Sequence, residues 1–183
     1  MEGPREAIPG GIAKVLAAAE FAAFKHREQR RKGVRGSPYI NHSLAAASML
    51  AQQGGVDDVD VLAATILHDT IEDTDTTEME LEREFGRAVA SIVVEVTDVK
   101  TQSLALRKRM QIVHAPHLSA QAKLVKLADK IVNLRDIIGR PPNWDLKRKQ
   151  EYFDWAKQVV DGLRGVHPGL EAEFDRVHAR RPR

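Results

Sequence analysis

Apolar residues recur at helical spacing through almost the whole chain, and this periodicity constrains the fold more than any other feature. The first such segment carries apolar residues at positions 12, 15, 16, 19, 22 and 23, which predicts an amphipathic helix from Ile12 to about Arg31. A β-strand would show alternating apolar and polar residues bounded by turn residues, and this pattern does not prevail in any segment. We therefore predict an all-α fold, a single-domain helical bundle.

Further helices follow from the same spacing. We expect one from near His42 to Gly54 and one from Val59 to about Thr70, followed by helices over 78–85, 87–96, 106–113, 120–138 and 146–163 and a short one after Pro168. The segment that begins at Val59 is apolar on nearly all sides. It should therefore lie in the middle of the bundle.

Length and composition fit one domain. The chain has 183 residues, of which 43% are hydrophobic, enough for one core. Residues 1–11 contain two prolines and three glycines and are predicted to form a flexible leader, with the domain spanning 12–183. Because no apolar run is long enough for a signal peptide or a membrane span, we expect no membrane association.

Charge and cysteine content exclude several function classes. The 28 basic and 26 acidic residues give a net charge of only +2, too little for a general field that attracts nucleic acid or membrane. A basic run covers 25–32, but no aromatic residue interleaves it, so we expect no nucleic-acid partner. The absence of cysteine excludes disulfides, zinc–thiolate sites and cysteine nucleophiles, and it fits a cytoplasmic protein.

His68 and Asp69 stand together at the end of the predicted central helix. A buried carboxylate is costly unless it is paired or binds a metal. For an isolated pair, a simple His–Asp hydrogen bond is the more common arrangement. This pair is not isolated, because His42 opens the preceding helix and Asp129 lies beside the apolar stripe of a later one.

That later helix would bury leucines and isoleucine at 124, 127, 131 and 134, and its lysines at 123, 126 and 130 could stay in solvent. Two imidazoles and two carboxylates could then converge. Such a mixed nitrogen and oxygen set suits manganese, iron or zinc with open positions for water.

The order His, His-Asp, Asp resembles that of the histidine-aspartate (HD) phosphohydrolases. The flanking segments 39–42 (Tyr-Ile-Asn-His), 67–74 (Leu-His-Asp-Thr-Ile-Glu-Asp-Thr) and 126–130 (Lys-Leu-Ala-Asp-Lys) look like the hydrolase half of RelA/SpoT proteins. The chain is most similar to the stand-alone branch, the metazoan SpoT homologues and bacterial small alarmone hydrolases. The likeness covers roughly 17–165.

The resemblance implies a manganese-dependent enzyme that removes the 3′-pyrophosphate from guanosine tetra- or pentaphosphate (ppGpp or pppGpp). It implies one divalent ion, with Zn²⁺ or Fe²⁺ as other candidates, held by His42, His68, Asp69 and Asp129. Glu72 and Asp73 follow the ligand pair by about one helical turn, and they would handle the attacking water and the leaving oxygen.

Substrate contacts are implied at six further positions. Arg31 and Lys32 lead into the loop before His42 and would meet the pyrophosphate. Asn133 lies one turn after Asp129. Trp144, Arg148 and Tyr152 are spaced by four and could cover a nucleotide, although a plain packing stripe has the same spacing.

Two other functions remain open at the level of sequence. Removal of the 2′-phosphate from NADPH would use the same metal and the same cationic pocket. A nucleotide sensor that binds without cutting is a hypothesis of a different class, and the complete set of His and acidic residues at 42, 68, 69, 72, 73 and 129 argues against it.

Overall fold

A computed structural model of the protein describes residue 8 and residues 10–31 and 36–183. Ten α-helices occur in these residues: α1 (Gly11–Lys25), α2 (Ile40–Gln53), α3 (Val59–Leu67), α4 (Thr70–Asp73), α5 (Glu78–Phe85), α6 (Arg87–Val96), α7 (Leu104–His114), α8 (Ala120–Gly139), α9 (Leu146–Asp161) and α10 (Pro168–His178). A 3₁₀ turn, Ala115–His117, joins α7 to the segment before α8. The all-α prediction is confirmed: within the described residues the only β-type pairing is a single bridge between Arg30 and Pro38.

The centre of the bundle is α3, as its all-round apolar sequence predicted. Six of its nine residues are buried, and it packs against α1, α2, α6 and α8. Its start is fixed by the Asp58 side chain, which accepts hydrogen bonds from the backbone amides of Asp60 and Val61. Because α3 packs against α2 and α8, its C-terminal end lies inside the protein near both helices.

The predicted boundary of the third helix differs from the observed one. It ends at Leu67, and α4 begins three residues later. Side chains take over two of the terminal carbonyl groups: Thr70 Oγ1 donates to the Leu67 carbonyl at 2.7 Å, and His68 Nδ1 lies 2.7 Å from the Thr65 carbonyl. These bonds replace helical ones, and His68 and Asp69 form a short turn between α3 and α4.

The first helix is also shorter than predicted, and Arg31 is not part of it. It ends at Lys25 because the next residues pair with the loop that returns to α2. The Arg31 amide donates to the Ser37 carbonyl at 2.9 Å, and the Tyr39 amide donates to the Gln29 carbonyl at 3.1 Å. Residues 26–31 of the basic run therefore lie in a loop, next to the start of α2.

The longest helix, α8, is buried on several faces. Eleven of its twenty residues are buried, among them the charged residues Lys126, Asp129 and Lys130. None of the helices in the described residues has the length and apolar character needed to cross a membrane.

Candidate metal centre and substrate cleft

Four side chains that are far apart in the sequence meet where α2, α3 and α8 come together. His42 Nε2 lies 3.1 Å from Asp129 Oδ1, and His68 Nε2 lies 3.0 Å from Asp69 Oδ2 and 3.8 Å from Asp129 Oδ1. One donor atom from each of His42, His68 and Asp69 lies within 4.8 Å of the others. The four residues predicted as metal ligands thus share one location.

The His68 ring is oriented as a metal ligand would be. Its Nδ1 must carry a proton, because the Thr65 carbonyl 2.7 Å away can only accept. Its Nε2 is buried beside two carboxylates, 3.0 Å from Asp69 Oδ2 and 3.8 Å from Asp129 Oδ1, and has no hydrogen-bond partner of good geometry in the described part of the chain. A divalent cation bound by two nitrogen and two oxygen donors would satisfy this atom.

Nearby charges shift the pKa values of His68, Asp69 and Asp129 toward their charged forms. Burial alone lowers the pKa of His68, but the Asp69 carboxylate outweighs it and raises this pKa to about 9. Burial raises the pKa of Asp69, whereas His68 opposes this more strongly and leaves the pKa below its usual range. The pKa of Asp129 is likewise lowered despite burial, chiefly by the Lys130 ammonium.

The expectation that Lys126 and Lys130 stay in solvent is wrong. Lys130 is only 3% exposed, donates from Nζ to Asp129 Oδ2 at 2.9 Å and lies 4.5 Å from the centre of the Trp155 ring. Lys126 donates from Nζ to the Val96 carbonyl at 2.7 Å. Both are buried because other helices cover several sides of α8, so the apolar stripe does not mark its only packed face.

Glu72 and Asp73 lie one turn past the His-Asp pair, in α4. Glu72 accepts from Arg107 Nη1 at 2.9 Å and from the Asp98 amide at 3.2 Å, and burial raises its pKa, helped by the Asp98 charge. Asp73 accepts from Lys100 Nζ at 2.9 Å and lines the cleft described next. Either carboxylate could exchange a proton with a ligand at this site.

A cleft of about 670 Å³ opens beside the four-residue cluster. Of the residues predicted to bind substrate, Arg31, Asn133, Trp144 and Tyr152 line it. Arg148 does not line it directly, but its guanidinium lies 4.4 Å from the centre of the Trp144 ring. Lys32 falls outside the described residues.

Hydrogen bonds connect the cleft to the cluster. Arg31 Nη2 donates to Asn133 Oδ1 at 2.8 Å and to Asp136 Oδ2 at 3.0 Å, and the Asn133 amide in turn donates to Asp129 Oδ1. Trp144 and Tyr152 also line the cleft, with ring centres 5.8 Å apart. The cleft therefore offers both a cation and aromatic faces, a combination that suits a phosphorylated nucleoside.

Sequence reasoning missed several polar residues that contact the site. Tyr39 donates to Asp69 Oδ2 at 2.7 Å and packs against His26, with ring centres 4.8 Å apart. Its place in the segment Tyr-Ile-Asn-His could have indicated this role. Arg107 gave no such signal, because its contact with Glu72 joins helices that are distant in sequence, and Lys130 was missed because it was expected to stay in solvent beside Asp129.

The chain is similar to proteins of known function over most of its length. Residues 18–155 match the HD domain family. The guanosine-3′,5′-bis(diphosphate) 3′-pyrophosphohydrolase MESH1 of Xenopus tropicalis is 54% identical over 166 residues, which cover 90% of this chain and 93% of that protein. The human protein of the same name is 52% identical over 170 residues, which cover 92% of this chain and 95% of the human one.

A solved structure agrees with these similarities. It is described as a metazoan ortholog of SpoT that hydrolyzes ppGpp and plays a role in starvation responses, and it superposes with a TM-score of 0.90 at 43% identity. The match covers 96% of this chain and 98% of that one. The chain therefore belongs to the HD domain family and, within it, to the group of MESH1-type relatives of SpoT.

Proposed function

We propose that the protein is a manganese-dependent pyrophosphohydrolase that removes the 3′-pyrophosphate from ppGpp or pppGpp and leaves GDP or GTP. The observation that carries this proposal is the buried Nε2 of His68 among the carboxylates of Asp69 and Asp129, next to a cleft whose lining residues Tyr39 and Asn133 hydrogen-bond to those carboxylates. The names of the relatives supply the substrate.

In this proposal His42, His68, Asp69 and Asp129 hold one divalent cation. When bound, the cation supplies acidity to water and offsets negative charge on a phosphoryl oxygen. The Lys130 ammonium stabilises the ionised form of Asp129 from the side opposite the two histidines. Tyr39 holds Asp69 through its hydroxyl, so both carboxylates keep a fixed orientation.

The protein's own acids would manage the protons. A water oxygen attacks the phosphorus atom attached to the ribose 3′ oxygen, and the bond from that phosphorus to the 3′ oxygen breaks. One of Glu72 and Asp73 takes the proton of the water, and the other delivers a proton to the 3′ oxygen. The products are pyrophosphate and a nucleotide with a free 3′ hydroxyl, so atoms and charge balance without a covalent enzyme intermediate.

Substrate orientation would come from the cleft. Arg31 would meet the pyrophosphate, with Lys32 as a second cation, while Asn133 contacts the sugar or phosphate beside Asp129. Trp144 and Tyr152 would stack on the base, and Arg148 packs on the outer face of Trp144. Fixing a charged substrate at both ends lowers the entropic part of the barrier.

The test is a product assay on the purified protein with manganese. Parallel reactions contain ppGpp, pppGpp, NADPH or ordinary deoxynucleotides, and chromatography resolves the products. We expect pyrophosphate and GDP or GTP from the first two. Phosphate release from NADPH alone would instead establish a 2′-phosphatase, and tight ppGpp binding without turnover would establish a sensor.

Matched variants assign the roles in the same assay. His68→Ala and Asp69→Ala should abolish turnover, while Glu72→Ala should keep bound metal and lose rate. Gln121→Ala, an exposed position on α8, serves as the control and should behave as the wild type.

A further inference from the structure

Helix α7 (Leu104–His114) is attached to the protein in an unusual way. None of its eleven residues is buried, and Leu104 and Leu106 are 59% and 40% exposed. Instead, Arg107 and Gln111, one helical turn apart, extend polar side chains toward the site. One half-buried side chain of α7, Ile112, packs against the hydrophobic core, while Arg107 and Gln111 direct their contacts at the site.

Those two side chains fix Glu72 from both sides. Arg107 Nη1 donates to Glu72 Oε1 at 2.9 Å, and the Asp98 amide donates to Glu72 Oε2 at 3.2 Å. The carboxylate of Asp98 in turn accepts from Gln111 Nε2 at 2.7 Å. Each oxygen of Glu72 is thus oriented by α7, one directly and one through Asp98.

These bonds are not arranged for maximum stability. Arg107 Nε and Gln111 Oε1 are buried and lack hydrogen-bond partners in the described ranges, and each such atom costs free energy. The Arg107 and Glu72 side chains are only 22% and 18% exposed, so water competes weakly for their ion pair. A carboxylate offers about four lone-pair positions, and two remain free on Glu72 for a reacting group.

We propose that Arg107 is a positioning residue that holds the Glu72 carboxylate in its reactive orientation. The inference rests on the proposed function, in which Glu72 is one of the two proton-transferring acids. Arg107 itself need not touch substrate. Because a displacement of about 1 Å in a reacting group can cost roughly 100-fold in rate, an effect through orientation alone is large enough to measure.

The test is a double-mutant cycle on the full chain with manganese and ppGpp. Arg107→Ala should lower kcat by about 10-fold or more, with KM changed less than about twofold and bound manganese unchanged. The variant that combines Arg107→Ala with Glu72→Gln should be no slower than Glu72→Gln alone. Arg107→Lys, which keeps the positive charge but loses the planar guanidinium, should recover part of the rate.

The control is Arg109→Ala, an exposed arginine two residues along α7 and on about the opposite face of the helix, which should match the wild type. Wild-type kcat in Arg107→Ala, a further 10-fold loss in the double variant, or loss of bound manganese would each overturn the inference.

A second readout separates this inference from the proposed function. Hydrogen exchange of the α7 amides should be faster in Glu72→Gln than in the wild type, because the ion pair that holds α7 is weakened. A wild-type protein that leaves ppGpp intact would refute the proposed function alone. Unchanged exchange in Glu72→Gln would refute the role of Arg107 even in an active enzyme.

Discussion

Helices α7 and α8 both send polar side chains to the site, but they are held in place by different forces. Eleven residues of α8 are buried, including the site residue Asp129, whereas no residue of α7 is buried. Extensive packing positions α8, whereas α7 is held by hydrogen bonds to Glu72, Asp98 and Trp155 and by the half-buried Ile112. One site can thus combine a rigid side, where a cation would be held, with a lightly attached side that orients a proton-transferring group.

The largest effect is expected at Asp129 on the rigid side. Asp129→Asn should lower turnover by about 100-fold or more, since even partners outside the ligand set cost roughly 10- to 100-fold in metal affinity or activity. Asparagine keeps the size of the side chain, so Lys130 remains covered. Steady-state kinetics on ppGpp measure the loss, and turnover within twofold of the wild type would remove Asp129 from the ligand set.

The difference in packing can be measured as a difference in stability. Leu134→Ala on α8, where the leucine is fully buried, should lower the free energy of unfolding by about 2–5 kcal/mol. Leu104→Ala on α7, where the leucine is 59% exposed, should change it by less than about 0.5 kcal/mol. Urea unfolding followed by circular dichroism gives both values. Equal losses would mean that α7 is held by packing after all.

Trp155 contacts both helices, so a substitution there can separate the attachment of α7 from the packing around Lys130 of α8. Its ring lies beside Lys130 of α8, and its Nε1 donates to the Lys108 carbonyl of α7 at 3.0 Å. Trp155→Phe keeps an aromatic face for Lys130 but removes the hydrogen bond, at a cost of about 1 kcal/mol. We expect faster hydrogen exchange in α7 with unchanged bound manganese; unchanged α7 exchange would contradict this attachment.

The smallest effect concerns the pH dependence of stability at Lys126. Burial lowers the pKa of this lysine from 10.5, and the nearby Lys130 charge lowers it further. In the window between the lowered pKa and 10.5 the unfolded chain binds more protons than the folded one, so this group makes stability rise with pH. Compared with Lys126→Met, the wild type should gain relative stability as pH rises through this window, and a relative loss would refute the burial of a charged lysine.

Most of the fold could be predicted from the sequence because helical periodicity records which faces are buried. The predicted helices over 78–85 and 87–96 match α5 and α6 in both bounds. The end of α1 was misplaced because the backbone hydrogen bond between Arg31 and Ser37 forms across a loop, and loop contacts leave no periodic pattern in the sequence. The burial of Lys126 and Lys130 was missed because periodicity averages over a face and does not register a buried charge with a specific partner.

The residues of the candidate metal centre could be predicted from the sequence, but the residues that orient them could not. The meeting of His42, His68, Asp69 and Asp129 followed from residue types and from the family resemblance, and their metal-binding role stays a prediction. The roles of Tyr39 and Arg107 depend on side-chain contacts across 30 and 35 residues of sequence, which neither spacing nor composition encodes.

The most direct test of the central claim is a count of bound metal. After loading with manganese and exhaustive dialysis, plasma mass spectrometry should find about one manganese ion per wild-type or Gln121→Ala chain. Asp129→Asn and His68→Ala should retain almost none while keeping the helical circular dichroism spectrum. Equal manganese in all four proteins would contradict a cation held by these side chains.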